Sequence, residues 1–105
     1  MSREYVPDCW IVLELGDTNR TIHKVFAGWY GGYTQGDSWK LSSGILEHKD
    51  CGEYLEFTNH SGSVYRCYKS NNRMSGYMMG ILSGWLKEAD EDPKYIVRDV
   101  SEMYV

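Results

Sequence analysis

The chain has 105 residues, 42% of them hydrophobic and 25% charged, which is typical of one globular domain and excludes a disordered chain. Its net charge is −4, from 15 acidic and 11 basic residues. The sequence therefore lacks the basic footprint that nucleic-acid binding requires. No segment approaches the ~20 apolar residues that cross a bilayer. We expect a single domain over residues 1–105 with neither a nucleic-acid nor a membrane partner.

Short β-type segments separated by turns fill the first two thirds of the chain. The run CWIVLEL is apolar with a β-branched centre, and IHKVFAGW returns after the turn GDTNR. Because the connections are short, neighbouring strands should pair antiparallel as a meander. The predicted strands cover residues 9–15, 22–29, 38–46, 53–59 and 63–69.

The hydrophobic period then changes from two residues to that of a helix. The predicted helix runs from Arg73 to the Asp92–Pro93 pair, with N-cap candidates at residues 70–72. KYIVRDV (94–100) reads as a last strand. The sequence thus predicts an α+β fold in the order β-β-β-β-β-α-β, a curved antiparallel sheet of five or six strands with one amphipathic helix across a face. Its apolar stripe should contact Ile11, Leu13, Val25, Leu41, Leu55 and Phe57.

The three cysteines, Cys9, Cys51 and Cys67, cannot all pair within one chain. The start MSREYVPD lacks the apolar run of a signal peptide. Both features favour free thiols in a reducing compartment, so we expect a soluble cytoplasmic protein.

Metal and cofactor motifs are weak. His48 and Cys51 have an H-x2-C spacing, but a structural zinc site normally combines two such short spacings. The glycine-rich GWYGG precedes a predicted strand and lacks a lysine–serine pair, so it matches neither a P-loop nor a dinucleotide-binding motif. No metal and no cofactor is expected.

The segment AGWYGGYTQGDSWK places aromatic side chains among glycines. Core aromatics normally lie on regular elements, whereas glycines mark turns. We interpret the segment as a binding loop, joined by the HSG turn, that could stack on a sugar, a base or a partner's side chain. The alternative is that its tryptophans close the core. The predicted binding residues are Trp29, Tyr30, Tyr33, Asp37, His60 and Ser61.

A catalytic interpretation centres on His60, Ser61, Cys67 and Asp37. A nucleophile and its base must lie within hydrogen-bond reach, and sequence spacing does not establish that. The sequence therefore favours a non-enzymatic binding protein over a small hydrolase or transferase.

Gly76, Gly80 and Gly84 form a row on the helix, opposite its apolar stripe. Each glycine inside a helix costs about 0.8–1.0 kcal/mol relative to alanine. Close approach of a second copy would account for the row, by analogy with the G-x3-G motif of membrane helices. The row predicts self-association, the alternative being a marginally stable helix.

The segments AGWYGGY, DSWKLSSGI and NHSGSVYRCYK together resemble a family of small uncharacterised proteins encoded by tailed bacteriophages, especially marine ones. The resemblance covers most of the chain, from YVPDCW to the helix. It implies no functional residues. It implies a setting, an accessory protein made inside a bacterial host, where it would hold a host protein or a small ligand.

Overall fold

The computed structural model describes residues 3–31 and 36–105, which form two stacked four-stranded sheets and an α-helix. The central sheet has the order β4-β3-β2-β8, and the outer sheet has the order β1-β7-β6-β5. The paired strands are antiparallel except β1 and β7, which run parallel. The elements are β1 (Glu4–Tyr5), β2 (Cys9–Asp17), β3 (Thr21–Trp29), β4 (Ser38–Leu41), β5 (Ile45–Asp50), β6 (Tyr54–Asn59), β7 (Val64–Tyr68), α1 (Gly76–Glu91) and β8 (Tyr95–Asp99).

The long hairpin of β2 and β3 is closed by a turn that the sequence specifies. The Asp17 carboxylate accepts hydrogen bonds from the backbone N–H groups of Asn19 and Arg20 at 2.9 and 3.0 Å. Gly16 precedes it with φ +153, and a Cβ there would overlap the Arg20 carbonyl. This position therefore requires glycine.

The central sheet is buried on both faces because successive strand residues point to opposite sides. One face packs on the outer sheet, and the other packs on α1. Burial on both faces explains why the start of β2 reads as a continuous apolar run. The inter-sheet core contains Trp10, Val12, Val25, Ala27, Leu55, Phe57, Tyr65, Cys67 and Val100. The helix core contains Cys9, Ile11, Leu13, Phe26, Met78 and Leu82.

The structure confirms the α+β class, the helix packed on a sheet and the mainly antiparallel pairing, but it does not confirm a single curved meander. The predicted strand 38–46 is divided between β4 and β5, which lie in different sheets. Ser42 holds the end of β4 against β3, because its N–H donates to the Val25 carbonyl at 2.9 Å. The Val25 N–H in turn donates to Ser42 Oγ at 2.8 Å. Beyond Ser42 the chain crosses to the outer sheet.

The predicted contacts of the helix are correct for one of the two cores. Ile11 and Leu13 lie in the helix core, and Leu41 packs against it. Val25, Leu55 and Phe57 instead belong to the inter-sheet core. In β3 it is Phe26 that faces the helix, so its neighbour Val25 must face the other way.

The N-cap prediction is wrong, because α1 begins at Gly76, three residues after the predicted start at Arg73. Ser75 is the N-cap, and its hydroxyl accepts from the Met78 N–H at 3.2 Å. Residues 70–72 instead lie in and just after a separate 3-10 turn, Lys69–Asn71. Asp92 is the C-cap, as the following proline predicts. Within residues 3–31 and 36–105, no helix is long and apolar enough to cross a membrane.

Two glycine-to-alanine substitutions should have opposite effects on stability. A Cβ on Gly28 would overlap the buried thioether of Met78, whereas a Cβ on Gly80 would meet nothing within 4 Å. We expect Gly28→Ala to lower the free energy of unfolding by about 1–3 kcal/mol through overpacking. Gly80→Ala should raise it by about 0.8–1.0 kcal/mol. Urea denaturation of dilute protein measures both, and a neutral Gly28→Ala would contradict the packing of α1 on β3.

Candidate functional site

The aromatic loop begins with a residue that is partly scaffold. Trp29 ends β3 half-buried, and its indole N–H donates to the Val6 carbonyl at 3.1 Å. Its ring meets that of Tyr5 edge to face, with the centroids 6.2 Å apart. Tyr30 is displayed, with 51% of its surface exposed. The predicted binding residue Tyr33 lies outside the described residues.

The two ends of this loop meet at a narrow neck. The Gly31 N–H donates to Asp37 Oδ1 at 3.4 Å. A Cβ on Gly31 would overlap the Gly36 carbonyl, so the backbones of Gly31 and Gly36 are in direct contact. The Tyr30 N–H donates to Asp8 Oδ2 at 2.9 Å. The carboxylate of Asp37 therefore helps to close the loop.

The turn between β6 and β7 is fastened to the connection between β4 and β5 by hydroxyl groups. Ser61 Oγ lies 2.9 Å from Ser43 Oγ and 3.2 Å from Ser63 Oγ. The Ser61 N–H also donates to Ser43 Oγ, at 3.0 Å. Gly62 has φ +91, a backbone conformation that favours glycine in this turn. We call Ser43, Ser61 and Ser63 the serine cluster.

A pocket of about 350 Å³ opens beside the serine cluster. It lies where the chain around β1, the strand β4 and the β6–β7 turn come together. The Lys40 ammonium lies 5.2 Å from the centre of the Tyr5 ring, which stacks on Tyr65 at 4.9 Å. Burial is the main cause that raises the pKa of Tyr65 to about 12, so the Tyr65 phenol stays a protonated donor at neutral pH. This hydroxyl pocket is lined by Arg3, Tyr5, Lys40, Ser43, Ser61, Ser63 and Tyr65, among others.

The hydroxyl pocket brings together only part of the predicted site. Ser61 lines it, and Trp29 adjoins it through Tyr5. Tyr30 and Asp37 do not line it, and His60 lines a different cavity. The cationic residues of the pocket were missed because no short motif connects residue 3 with residues 40 and 61.

His60 faces a second cavity of about 570 Å³, which Tyr104 and His23 also line. His23 Nδ1 lies 2.6 Å from the Tyr104 hydroxyl, and its Nε2 lies 3.3 Å from Glu14 Oε2. Arg98 Nε donates to Glu14 Oε1 at 2.6 Å, and this bond is the main reason that the pKa of Glu14 is lowered. Burial raises the pKa of Tyr104. Both ring nitrogens of His23 thus have partners in a polar chain that joins Glu14 on β2 to Tyr104 near the C-terminus.

A third cavity, of about 560 Å³, lies between α1 and the edge of the central sheet. Leu15, Trp85 and Val97 give it an apolar lining, with Asp17 and Glu88 as the acidic members. None of the predicted site residues lines it, and it holds no convergent set of hydrogen-bond donors.

The predicted catalytic residues do not assemble among the residues that the structure describes. Cys67 is fully buried in the inter-sheet core, and burial strongly raises the pKa of its thiol. A reactive cysteine needs the opposite, a stabilised thiolate. The hydrogen bonds of Ser61 Oγ go to other serines, and none joins it to the described His60 ring. In the same ranges no three histidine, cysteine or acidic residues are grouped to hold a metal ion.

The glycine row lies on the exposed face of α1. Gly76, Gly80 and Gly84 are exposed, and an added Cβ would contact nothing within 4 Å at any of them. Tyr77 and Met79 on the same helix are 46% and 49% exposed. This face therefore has room and apolar surface for a partner.

The chain matches no protein-family model, and no curated protein or solved structure matches it.

Thiol accessibility tests the assignment of Cys67 to the core. Cys9 and Cys67 are buried and Cys51 is partly exposed, so Ellman's reagent should label the native protein at Cys51 alone. Unfolding in denaturant should expose the other two thiols. Cys51→Ser should abolish the fast reaction, which serves as the control. Fast labelling of Cys67 in the native protein would contradict its burial and revive a cysteine-based activity.

Proposed function

We propose that this protein is a non-enzymatic binding protein that holds a small molecule in the hydroxyl pocket. One observation carries the proposal: two cationic side chains, Arg3 and Lys40, converge with the serine cluster on one concave site. Its volume of about 350 Å³ falls in the range of small-molecule sites, roughly 300–1,000 Å³. Its guanidinium, ammonium and hydroxyl groups are all hydrogen-bond donors.

The pocket favours a small ligand over a host protein as the bound partner. A protein partner would be expected to use displayed aromatic area, and Tyr30 offers such area on the loop. The serine cluster, Arg3 and Lys40 instead line a concave pocket together with Tyr5. We propose that the loop ends carrying Tyr30 and Asp37 flank the site, to which they connect through the contact of Trp29 with Tyr5. A host protein that binds the loop remains the alternative occupant.

The alternative of a small hydrolase or transferase has weaker support. Its nucleophile would have to be Ser61 or Cys67, and Cys67 is buried with a raised pKa. Ser61 Oγ is bound to two other hydroxyls, so it lacks the adjacent base that activates a serine.

The setting proposed for this binding role is the cytoplasm of a bacterial host. The resemblance of the loop and turn segments to tailed-phage proteins supports it, as does the presence of three unpaired cysteines. A phage accessory protein that sequesters a metabolite would need a pocket and no catalytic group.

The binding proposal is tested by native mass spectrometry of the protein incubated with a small-molecule extract of bacterial cells. We expect the wild type to retain a small-molecule adduct. Ser61→Leu, which fills the pocket from an exposed position, should lose it. Ser70→Leu is the matched control, since Ser70 is exposed and does not line the pocket, and it should retain the adduct.

A second pair of variants tests the aromatic loop. Tyr30→Ala should weaken retention of the adduct, whereas Tyr77→Ala, at a similarly exposed tyrosine on α1, should not. Equal retention of the adduct by both variants would show that Tyr30 does not contribute to ligand binding. An adduct that survives Ser61→Leu would contradict the proposed site.

A second copy of the chain is a separate proposed partner. The exposed glycine row with Tyr77 and Met79 beside it favours this self-association, since glycines let two helix backbones approach closely. We expect light scattering at high micromolar concentration to give a dimer mass. Gly80→Glu should return it to the monomer mass, while Ser70→Glu should not. A monomeric wild type would remove this proposal.

A further inference from the structure

We infer that the hydroxyl pocket recognises a phosphate group, carried by a small ester or as the free ion. This inference rests on the proposed function and names the chemistry of its ligand.

The pocket concentrates positive charge in an acidic protein. Arg3 and Lys40 line it, and no described lining residue is acidic. Neither cation belongs to an ion pair of the described residues. Arginine and lysine are the residues that bind phosphate by charge-assisted hydrogen bonds. The pocket therefore presents two cations whose charge a bound anion would neutralise.

Strand geometry keeps the carboxylate of Glu4, the sequence neighbour of two lining residues, out of the pocket. Glu4 lies between Arg3 and Tyr5, and successive strand residues point to opposite sides. Its carboxylate is bound to Arg66 Nη2 at 2.7 Å, on the far side of the outer sheet. The charge of Glu4 is thus matched by Arg66, and Arg3 is left to the pocket.

The serine cluster has one more hydroxyl proton than its internal hydrogen bonds use. The two oxygen–oxygen contacts, Ser43–Ser61 at 2.9 Å and Ser61–Ser63 at 3.2 Å, each use one of three hydroxyl protons. Its other partners are N–H donors: the Ser61 N–H to Ser43 Oγ at 3.0 Å and Asn59 Nδ2 to Ser63 Oγ at 3.1 Å. One hydroxyl proton is left for an acceptor in the pocket. A phosphate oxygen is such an acceptor.

The phenols add neutral donors and an aromatic wall. Tyr5 and Tyr65 both line the pocket, and the stacked pair is joined edge to face by Trp29. A phosphate fills only part of the pocket, and the remaining space next to Tyr5 suits the ring of a sugar or base. The same site would accept the free ion through its cations and hydroxyls alone.

Isothermal titration calorimetry at constant ionic strength tests this inference with three probes. The probes are inorganic phosphate, adenosine 5′-monophosphate and adenosine. We expect both phosphate compounds to bind one to one and adenosine not to bind. Monophosphate binding at least about tenfold tighter than inorganic phosphate would assign an ester as the ligand. Equal or weaker binding would assign the free ion.

A matched pair of lysine variants locates the site. Lys40→Met keeps the aliphatic stem over Tyr5 and removes the charge, so it should weaken phosphate binding by about tenfold or more. Lys49→Met removes an equally exposed strand lysine outside the pocket and should change it less than about twofold. Thermal melts of both variants check that they remain folded.

Three results would overturn the inference. Adenosine binding as tightly as its monophosphate would show recognition of the ring. Equal losses in the two lysine variants would show non-specific charge attraction, and no binding by either phosphate compound would exclude the class. If Ser61→Leu still abolishes capture of a cellular small molecule in these cases, the binding function survives with another ligand. If the wild type captures no cellular small molecule either, both the phosphate inference and the proposed binding function fail.

Discussion

The architecture depends on one constraint, that the paired strands β2 and β3 carry apolar side chains on both faces. Val12 and Val25 point to one side, and Ile11 and Phe26 point to the other. Neither face can be left in water, since each fully buried side chain of this kind contributes about 1.5–3 kcal/mol. The outer sheet covers the first face, and α1 covers the second. The order of the three layers follows from this single hairpin.

Two stacked sheets leave open edges, and the hydroxyl pocket lies beside the edge strands β1 and β4. Lys40 on the edge strand β4 comes close to Tyr5 on the edge strand β1. The backbone groups at such edges cannot all be paired within a sheet, and side chains bridge the gap instead. Ser43, in the connection between β4 and β5, bonds both the hydroxyl and the N–H of Ser61 in the β6–β7 turn. A ligand pocket at this edge is therefore compatible with both hydrophobic cores.

The sequence predicted the elements better than their assembly. The β2–β3 hairpin and α1 follow from local periodicity, because the apolar pattern of each depends on its own burial. The division of residues 38–46 between two sheets depends on Ser42, whose hydroxyl and N–H bond the backbone of Val25. Such a side-chain bond has no periodic signature. The pairing of β1 with β7 was missed for the same reason, since two residues carry no period.

The sequence predicted a residue of the candidate site only where that residue lies in a recognisable local motif. Ser61 was found because the HSG turn has a recognisable composition, whereas Arg3 and Lys40 became relevant only when the fold placed them together. The polar chain from Glu14 to Tyr104 was missed too, because His23 and Tyr104 are 81 residues apart in sequence. Sites made by distant segments are products of topology.

The net charge of −4 predicts weak attraction for nucleic acid, but it says little about the charge inside the pocket. Long-range capture of a polyanion depends on the summed charge of a surface. A buried or partly enclosed anion depends on the few groups within a Debye length, about 8 Å at physiological ionic strength. In this protein Glu4 is matched by Arg66 and Asp50 by Lys69, so these acids contribute little beyond their partners. A chain with a net negative charge can therefore still present two cationic side chains, Arg3 and Lys40, at one pocket.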